Sequence, residues 1–231
     1  MSLIKRPGAA LSTRPLHFFF LADCSGSMGG EKIESLNQAI REALPHMKQV
    51  ANENPFANVL IRAIKFSDKA TWHIQNPTPV EQFEWKNLTA GGLTDLGAGL
   101  DLLATELTIS TMGDRALPPV IVLLSDGQPT DDFQTALENL FALPWGKKAV
   151  RLAVAIGKDA ATEPLQQFIA NPEIPVLQAN NPEALINHIR WASTVVLQSA
   201  SAPRTLLLTD GKPQTNIPIP NPPNVSSVDV W

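Results

Sequence analysis

Three separate segments of the chain carry carboxylate and hydroxyl side chains of the kind that bind a divalent cation. The first holds Asp23, Ser25 and Ser27 at alternate positions in a glycine-containing loop, so three oxygens can point the same way. The second is a glycine-rich loop with Thr94, and the third, Ser-Asp-Gly, contains Asp126. Two adjacent carboxylates repel each other unless a cation lies between them, and hydroxyls are hard neutral donors that suit Mg²⁺. The five side chains therefore predict a magnesium site, with Mn²⁺ or Ca²⁺ as alternative ions.

Both aspartates follow a short apolar run that is typical of a strand buried on both faces of a parallel sheet. Residues 16–22 precede Asp23, and residues 120–124 precede the Ser-Asp-Gly segment. Open α/β sheets bind ligands at the carboxyl ends of their strands, in the crevice where the winding reverses. In the common strand order 3-2-1-4-5-6, the first and fourth strands border that crevice. We therefore expect Asp23 and Asp126 to face each other.

Strands and helices alternate through most of the chain. Apolar residues at spacings of three and four predict helices over residues 32–50, 96–107, 132–143, 164–169 and 183–197. Short apolar or alternating runs predict further strands over residues 58–66, 70–74, 150–156 and 175–177. The first two of these strands form a hairpin, whose Arg62, Lys65 and His73 fit the margin of a sheet. The alternation predicts an α/β fold, a doubly wound sheet with helices on both faces.

The composition favours one soluble domain and argues against several classes of function. The 231 residues suit a single large α/β domain, and the formal charge of −4 lacks the basic excess that nucleic-acid binding needs. The single cysteine, Cys24, allows neither an internal disulfide nor a cysteine-rich zinc site. The apolar run before Asp23 is far shorter than the ~20 residues that span a bilayer. We expect a cytoplasmic protein without a nucleic-acid or membrane partner.

Together the three segments resemble the metal-ion-dependent adhesion site (MIDAS) of von Willebrand factor type A domains. The matching features are Asp-x-Ser-x-Ser after an apolar strand, a threonine in a Gly-Gly loop before a helix, and Ser-Asp-Gly after a later strand. The resemblance implies a Rossmann-like, mostly parallel six-stranded sheet with one antiparallel edge strand. It also implies a set of metal residues, namely Asp23, Ser25, Ser27, Thr94 and Asp126. Because Leu93 stands between the Gly-Gly pair and Thr94, Thr89 remains a substitute for Thr94.

The resemblance covers residues 15–198, which are predicted to form the domain. Residues 1–14 lack periodicity and are expected to be a loose leader. Residues 199–231 combine prolines, which disfavour helices and central strands, with large apolar residues. Such a proline-rich tail either docks in extended form, in cis or in trans, or is a disordered appendage. Trp231 is the best candidate for a docking anchor.

Within this family, the chain is most similar to bacterial intracellular proteins associated with tellurium resistance. The similarity rests on single-domain size and on residues 20–37, Phe-Leu-Ala-Asp-Cys-Ser-Gly-Ser-Met-Gly-Gly-Glu-Lys-Ile-Glu-Ser-Leu-Asn. It implies a role in stress signalling with protein kinase or phosphatase partners.

Three classes of function fit these residues. The leading hypothesis is a non-enzymatic interaction module, in which an Asp or Glu of a partner protein completes the near-octahedral shell of the ion. A metal-dependent phosphohydrolase or a serine hydrolase is the rival. It lacks parts, because position 25 is serine rather than a second acid and no base for a serine nucleophile is evident. The third class is a subunit of an AAA-type ATPase assembly, a role that some von Willebrand A proteins have.

Other polar residues near these segments have simpler explanations. Asp95, Asp131 and Asp132 stand at predicted helix starts, where a carboxylate suits the helix dipole. Cys24 lies between ligand positions and is expected to turn away as a small buried residue. The four histidines are scattered over different elements and show no ligand spacing. Helix capping would also explain Asp23 and its serines, but it leaves the later Ser-Asp-Gly segment unexplained.

Overall fold

Six strands form one sheet at the centre of the fold. The computed structural model describes residues 13–201, 208–209, 212–213, 219–224 and 229–231. The strands are β1 Arg14–Asp23, β2 Ala57–Phe66, β3 Ala70–Pro79, β4 Val120–Ser125, β5 Val150–Ile156 and β6 Leu177–Ala179. Their order is β3-β2-β1-β4-β5-β6, and every neighbouring pair is parallel except β2 and β3 at the sheet edge. The predicted strand order and the antiparallel edge strand are confirmed.

Helices cover both faces of this sheet. They are α1 Glu31–Glu53, α2 Leu96–Ala104, α3 Ile109–Met112, α4 Phe133–Ala142, α5 Pro144–Lys148, α6 Thr162–Ile169, α7 Pro182–Trp191 and α8 Leu197–Ser201. A π-helical turn, Ala192–Val196, joins α7 to α8. Two short strands, β7 Leu208–Thr209 and β8 Lys212–Pro213, pair with each other. In the described part of the chain, no helix has the length and apolar character needed to cross a membrane.

The side chains of β1 alternate between two hydrophobic cores, one on each face of the sheet. Phe18 and Phe20 belong to the core that α1 and α7 cover, whereas Phe19 and Leu21 belong to the core under α2, α4 and α6. All four side chains are buried. Because both faces are covered, both sets of alternate side chains of the strand are mainly apolar, which explains its apolar run, broken only by His17. Each such burial contributes about 1.5–3 kcal/mol relative to an exposed side chain.

Several element boundaries differ from the predictions, the largest difference being at β3, which extends to Pro79 rather than to residue 74. Helix α2 ends at Ala104 rather than at residue 107, because Glu106 N and Leu107 N donate to carbonyls only three residues earlier. Leu107 is nevertheless buried, so its spacing reports packing rather than helical hydrogen bonding. Strand β6 begins at Leu177, two residues later than predicted, and Pro175 in the predicted strand has no amide hydrogen to donate. The last helical stretch continues through the π turn to Ser201.

Arg62 is buried, although the sequence pattern of its strand predicted a residue at the polar margin of the sheet. Its side chain is only 2% exposed and donates from Nη1 to Glu106 Oε2 at 2.6 Å. The guanidinium carbon lies 4.7 Å from the ring centre of Phe19 and 5.5 Å from that of Trp72. Nη2 lies 3.5 Å from His17 Nδ1. Burial, reinforced by the Arg62 charge, lowers the pKa of His17 to about 4. The long aliphatic stem of arginine thus lets a charged residue cross a core and reach an acid.

The described part of the tail contacts the body of the domain in cis. Val230 N donates to Asn180 O at 2.9 Å, and Asn180 Nδ2 donates to Asp229 Oδ1 at 2.7 Å. Trp231 and Ile219 are partly buried and pack against the core on the α1 face. The remaining tail residues, and residues 1–12 of the predicted leader, lie outside the described residues.

Candidate metal centre

Strands β1 and β4 are parallel neighbours, so the residues at their carboxyl ends emerge side by side. The carboxylate of Asp23 is fully buried there. Its Oδ1 accepts a hydrogen bond from Ser25 N at 2.7 Å, and its Oδ2 accepts one from Ser125 Oγ at 2.6 Å. Burial raises the pKa of Asp23, the nearby Asp126 charge adds to the rise, and the hydrogen bonds from Ser125 and Ser25 oppose it. A cation bound nearby would therefore stabilise the ionised form of the Asp23 carboxyl group.

A chain of hydrogen bonds leads from the loop after β1 to Asp126. The hydroxyls of Ser25 and Ser27 lie 3.0 Å apart, and Ser27 Oγ donates to Asp126 Oδ1 at 2.7 Å. The other carboxylate oxygen of Asp126, Oδ2, accepts a bond from Lys32 Nζ at 2.5 Å. Asp126 and Ser25 are buried, whereas Ser27 is exposed. The first and third segments thus meet through polar side chains, as expected from their positions at adjacent strand ends.

Thr94 reaches the same region from the glycine-rich loop. A methyl group placed on Gly127 would lie 3.3 Å from Thr94 Oγ1 and 3.9 Å from Asp23 Oδ2. The absence of a side chain at Gly127 therefore keeps a space between these two oxygens clear. Thr94 is buried, whereas Thr89, the sequence alternative, is exposed. The structure thus places Thr94 close to the Asp23 carboxylate, and Thr89 does not share its burial.

Backbone hydrogen bonds fasten the glycine-rich loop to the loop after β1. Gly91 N donates to Cys24 O at 2.7 Å, and Gly26 N donates to Gly92 O at 2.9 Å. Both bonds join main-chain atoms only. The relative position of the two loops is therefore independent of the side chains that they expose.

Polar side chains outside the three segments brace Thr94. Asp68 Oδ1 accepts from Leu93 N at 2.7 Å, and a methyl group on Gly92 would lie 2.7 Å from the Asp68 carboxyl group. Gly92 also has φ +93°, a conformation that strains other residues. Thr130 N donates to Thr94 O at 2.9 Å, and Thr94 N donates to Thr130 Oγ1 at 3.1 Å. The loop is held on both sides, yet the Leu93 side chain is 59% exposed.

The three other aspartates of this region act as structural groups. Asp131 accepts from Gly97 N at 2.9 Å and from Ala98 N at 2.7 Å, so it caps α2 and not the helix that follows it in sequence. Asp132 Oδ1 accepts from Thr135 N at 3.2 Å and caps its own helix, α4. Asp95 Oδ1 instead accepts from the Thr130 hydroxyl. The helix-start explanation thus holds for Asp132, whereas Asp131 serves the start of α2 instead of the predicted helix.

Cys24 and the histidines lack the environment of catalytic groups. Burial, together with the Asp23 charge, raises the pKa of the Cys24 thiol to about 12, so the thiol stays protonated. His17 faces Arg62, while His73 and His188 bond to backbone carbonyls. In the part of the chain that the structure describes, none of these side chains is a hydrogen-bond partner of the five predicted residues.

The five predicted metal residues would suit a hard divalent cation. They supply two carboxylates and three hydroxyls, and the two negative charges match a doubly charged ion. Among the described residues there is no group of three or more His, Cys, Asp or Glu side chains that could hold a metal. The site is thus unlike the nitrogen and sulfur sites that zinc usually takes.

Two residues of this site were not assigned a role from the sequence, Lys32 and Ser125. Lys32 is the second residue of α1, where a positive charge opposes the helix dipole, and this mismatch is a signal that it has an acidic partner. Ser125 ends β4 directly before Asp126, and the register of β1 with β4 places it beside Asp23. Its position beside a buried acid could therefore have been inferred once the strands were paired.

The mostly parallel sheet, its antiparallel edge strand and the oxygen side chains at the carboxyl ends of its strands define a class of Rossmann-like α/β domains. Within that class, the family model of the von Willebrand factor type A domain matches residues 18–192. The chain therefore belongs to the von Willebrand factor type A domain family. Domains of this family are generally non-enzymatic and commonly mediate metal-dependent protein–protein interaction.

One protein is similar to the chain in sequence, and several solved structures are similar to it in fold. Mouse inter-alpha-trypsin inhibitor heavy chain H3 is 28% identical over 123 residues, a match that covers 49% of this chain and 13% of that protein. A von Willebrand factor type A structure from Catenulispora acidiphila has a TM-score of 0.60 at 15% identity and covers 80% of this chain and 43% of that one. Proximal thread matrix protein 1 from the mussel byssus, with a zinc-occupied MIDAS motif, has a TM-score of 0.60 at 16% identity, covering 80% and 48%. The PilB minor pilin of Streptococcus sanguinis has a TM-score of 0.58 at 16% identity, covering 83% and 64%. The chain spans less than two thirds of the length of each of these relatives, and the structural likeness concerns the fold alone.

Proposed function

We propose that this chain is a non-enzymatic interaction module whose metal site binds an acidic residue of a partner protein. The proposed metal residues are Asp23, Ser25, Ser27, Thr94 and Asp126, with Mg²⁺ as the ion. The observation that carries the proposal is the convergence of oxygen side chains from three distant segments, at the sheet edge where α/β domains bind ligands.

The choice of Mg²⁺ rests on the chemistry of the donors. Carboxylate and hydroxyl oxygens are hard ligands, and Mg²⁺ commonly combines one or two carboxylates with neutral oxygens and waters. Mn²⁺ and Ca²⁺ accept the same kind of donors and are the alternatives. The zinc-occupied MIDAS motif of the mussel protein makes Zn²⁺ a further ion to include in binding measurements.

Charge and shape support an acidic partner. Five protein oxygens leave one position of the near-octahedral shell of Mg²⁺ for an outside ligand, and a carboxylate is the hard anionic oxygen donor that such an ion prefers. Leu93 adds an exposed apolar side chain directly beside Thr94, on a loop whose backbone is held in place. A partner segment with an apolar residue near its acid would therefore fit this surface.

The surroundings of the serines argue against the hydrolase alternatives. Ser25 lies against the Ser27 hydroxyl, and the described residues place no histidine against either hydroxyl. Lys32, the nearby amine, is committed to Asp126. A serine nucleophile without a base remains a weak nucleophile. We therefore assign the site to binding rather than to turnover.

The biological setting that we propose rests on the sequence resemblance alone. Residues 20–37 resemble bacterial proteins associated with tellurium resistance, which favours a cytoplasmic stress pathway with a kinase or phosphatase as partner. Membership of an AAA-type ATPase assembly is the competing setting, and the proteins that co-purify with the chain distinguish the two.

The first test is metal binding followed by partner capture. The variants are Asp23→Asn, which removes one site carboxylate, and Asp159→Asn, which removes an exposed carboxylate after β5 on the same sheet edge. We expect calorimetry to detect Mg²⁺ binding by the wild type and the Asp159 variant but not by the Asp23 variant. We also expect both metal-binding proteins to capture the same partner from extracts of the native host, and to release it in EDTA. Undiminished capture by the Asp23 variant, or capture that persists in EDTA, would contradict the proposal.

A second test addresses the enzyme alternatives. Purified wild type is incubated with Mg²⁺ and p-nitrophenyl phosphate or p-nitrophenyl acetate, and we expect no turnover above the Asp23→Asn protein. Turnover that is present in the wild type and lost in this variant would reassign the site to a hydrolase.

A further inference from the structure

Lys32 is a built-in cation of the candidate site. Its Nζ lies 2.5 Å from Asp126 Oδ2, while the other oxygen of Asp126 accepts the hydroxyl of Ser27. The Asp126 side chain is 2% exposed and that of Lys32 is 21% exposed, so the pair is largely shielded from water. A positive charge in the first turn of α1 opposes the helix dipole. The contact with Asp126 therefore accounts for a lysine at this otherwise unfavourable position.

The segment 229–231 lies close to the Lys32 side chain, next to Gly157. Gly157 follows β5 with φ +97°, and a methyl group on it would lie 3.1 Å from Lys32 Nζ and 3.2 Å from Trp231 Cδ1. The lysine ammonium and the tryptophan ring thus meet above the same glycine. A side chain at position 157 would occupy their common space.

The hold of this segment on the domain is limited, which suits a contact that can be released. Its described hydrogen bonds are those of Asp229 and Val230 to Asn180, and a long bond of 3.5 Å from Lys158 N to Trp231 O. Trp231 Nε1 is buried and has no acceptor in the described part of the structure. An unpaired buried donor weakens the docked state.

We propose that Lys32 sets the cation affinity of the site by competing with the divalent ion for Asp126, and that residues 229–231 hold Lys32 in that position. The inference rests on the proposed metal site and adds a control to it. A lysine charge on Asp126 repels an incoming divalent ion and must be displaced or tolerated when the ion binds. Release of the segment frees the lysine side chain to move into solvent, and the site then binds its ion more tightly.

The main test compares Lys32→Met with Lys32→Arg in the full chain. Methionine keeps an unbranched side chain without the charge, and arginine keeps the charge. We expect calorimetry with MgCl₂ to give a Kd about tenfold lower for Lys32→Met, equivalent to ~1.4 kcal/mol, and a Kd near the wild-type value for Lys32→Arg. Equal Kd values for wild type and Lys32→Met overturn this inference and leave the metal site intact. A wild type that binds neither Mg²⁺ nor Mn²⁺ overturns the proposed function as well.

A metal-free measurement gives an independent readout. In EDTA, Lys32→Met is expected to lower the melting temperature, because Asp126 then lies near Asp23 without a compensating charge. The same substitution in an Asp126→Asn background is expected to have no such effect. An equal loss in both backgrounds would show that Lys32 matters through packing, and would contradict the charge role.

The segment is tested with a matched pair of substitutions. Trp231→Ala removes the ring above Gly157, whereas Val230→Ala trims a neighbouring side chain that is 55% exposed. We expect Trp231→Ala to lower the Mg²⁺ Kd in the same direction as Lys32→Met but less, and Val230→Ala to leave it unchanged. If Trp231→Ala leaves the Kd unchanged while Lys32→Met lowers it, the role of the segment is wrong and that of the lysine stands.

Discussion

Replacement of Ser125 by alanine is expected to damage both the fold and the metal site. The Ser125 side chain is fully buried, donates to the buried Asp23 carboxylate at 2.6 Å and accepts from Gly127 N at 3.3 Å. Alanine removes the donor and leaves a buried carboxylate with one hydrogen bond fewer. A lost bond to a charged group costs about 2 kcal/mol. For a chain of this size, that corresponds to a melting temperature lower by roughly 4–8 °C.

The same substitution is expected to weaken metal binding, because Ser125 orients a proposed metal ligand. Loss of such an orienting partner typically reduces metal affinity by about 10- to 100-fold. The matched control is Ser27→Ala, which removes an exposed hydroxyl that is itself a proposed ligand. Ser27 also donates to Asp126, but its exposed position lets water replace the lost hydroxyl, so we expect Ser27→Ala to weaken Mg²⁺ binding and to lower stability less than Ser125→Ala does.

The assays are thermal unfolding followed by circular dichroism in EDTA, and calorimetric titration with MgCl₂. The two variants should differ mainly in the melting temperature, which Ser125→Ala lowers more than Ser27→Ala, while both weaken Mg²⁺ binding. A Ser125→Ala protein that melts with the wild type in EDTA would refute the energetic role of the buried hydrogen bond. Unchanged Mg²⁺ affinity in Ser125→Ala would refute its positioning role.

Three further predictions concern pH, thiol chemistry and backbone strain. Because the pKa of His17 in the folded protein is about 4, this residue takes up a proton in the unfolded chain near pH 6.5 but in the folded chain only at lower pH. The free energy of unfolding should therefore fall by about 3 kcal/mol more for wild type than for His17→Gln between pH 7.5 and 4 in urea titrations; parallel titrations would contradict the lowered pKa. The Cys24 thiol, with a pKa of about 12, should not react with Ellman's reagent at pH 8 until urea unfolds the chain, and immediate reaction of the native protein would disprove its burial. Gly92→Ala should lower the free energy of unfolding by at least about 1 kcal/mol more than Gly30→Ala does. Both glycines have positive φ, but only Gly92 faces the Asp68 carboxylate. Equal losses of stability in thermal unfolding would show that the protein relaxes the contact with Asp68 at no cost.

The arrangement of the sheet could be predicted because its strands are buried on both faces. A nearly unbroken apolar run such as residues 16–22 leaves few alternatives to a central parallel strand, and the confirmed order β3-β2-β1-β4-β5-β6 follows from the family resemblance. The ends of helices and strands were less predictable. Apolar spacing reports burial, and Leu107 is still buried although it lies beyond the last helical hydrogen bond of α2.

Residues whose long side chains reach across the structure were the hardest to predict. Arg62 fitted the polar margin of an edge hairpin, yet its guanidinium group lies near two aromatic rings and donates to Glu106. Lys32 likewise reaches Asp126, which lies 94 positions further along the chain. Neither partner follows from local spacing, since the contact depends on how helices and strands pack in three dimensions.

The candidate metal residues were predictable because three short motifs each carried a recognisable pattern. The structure brings their side chains together, and metal binding by them remains a prediction. The braces of the site had no such pattern. Asp68 stands in the tight turn between β2 and β3, and only the folded structure shows that it supports Leu93 and Gly92.

The main-chain bonds that join the loops after β1 and before α2 have a consequence for how such a surface can diversify. Because Gly26 to Gly92 and Gly91 to Cys24 are backbone contacts, the ion-binding framework places little demand on the outward-facing residues around it. Position 93 can therefore exchange one side chain for another, and so alter which proteins are recognised, while the inorganic chemistry underneath stays the same.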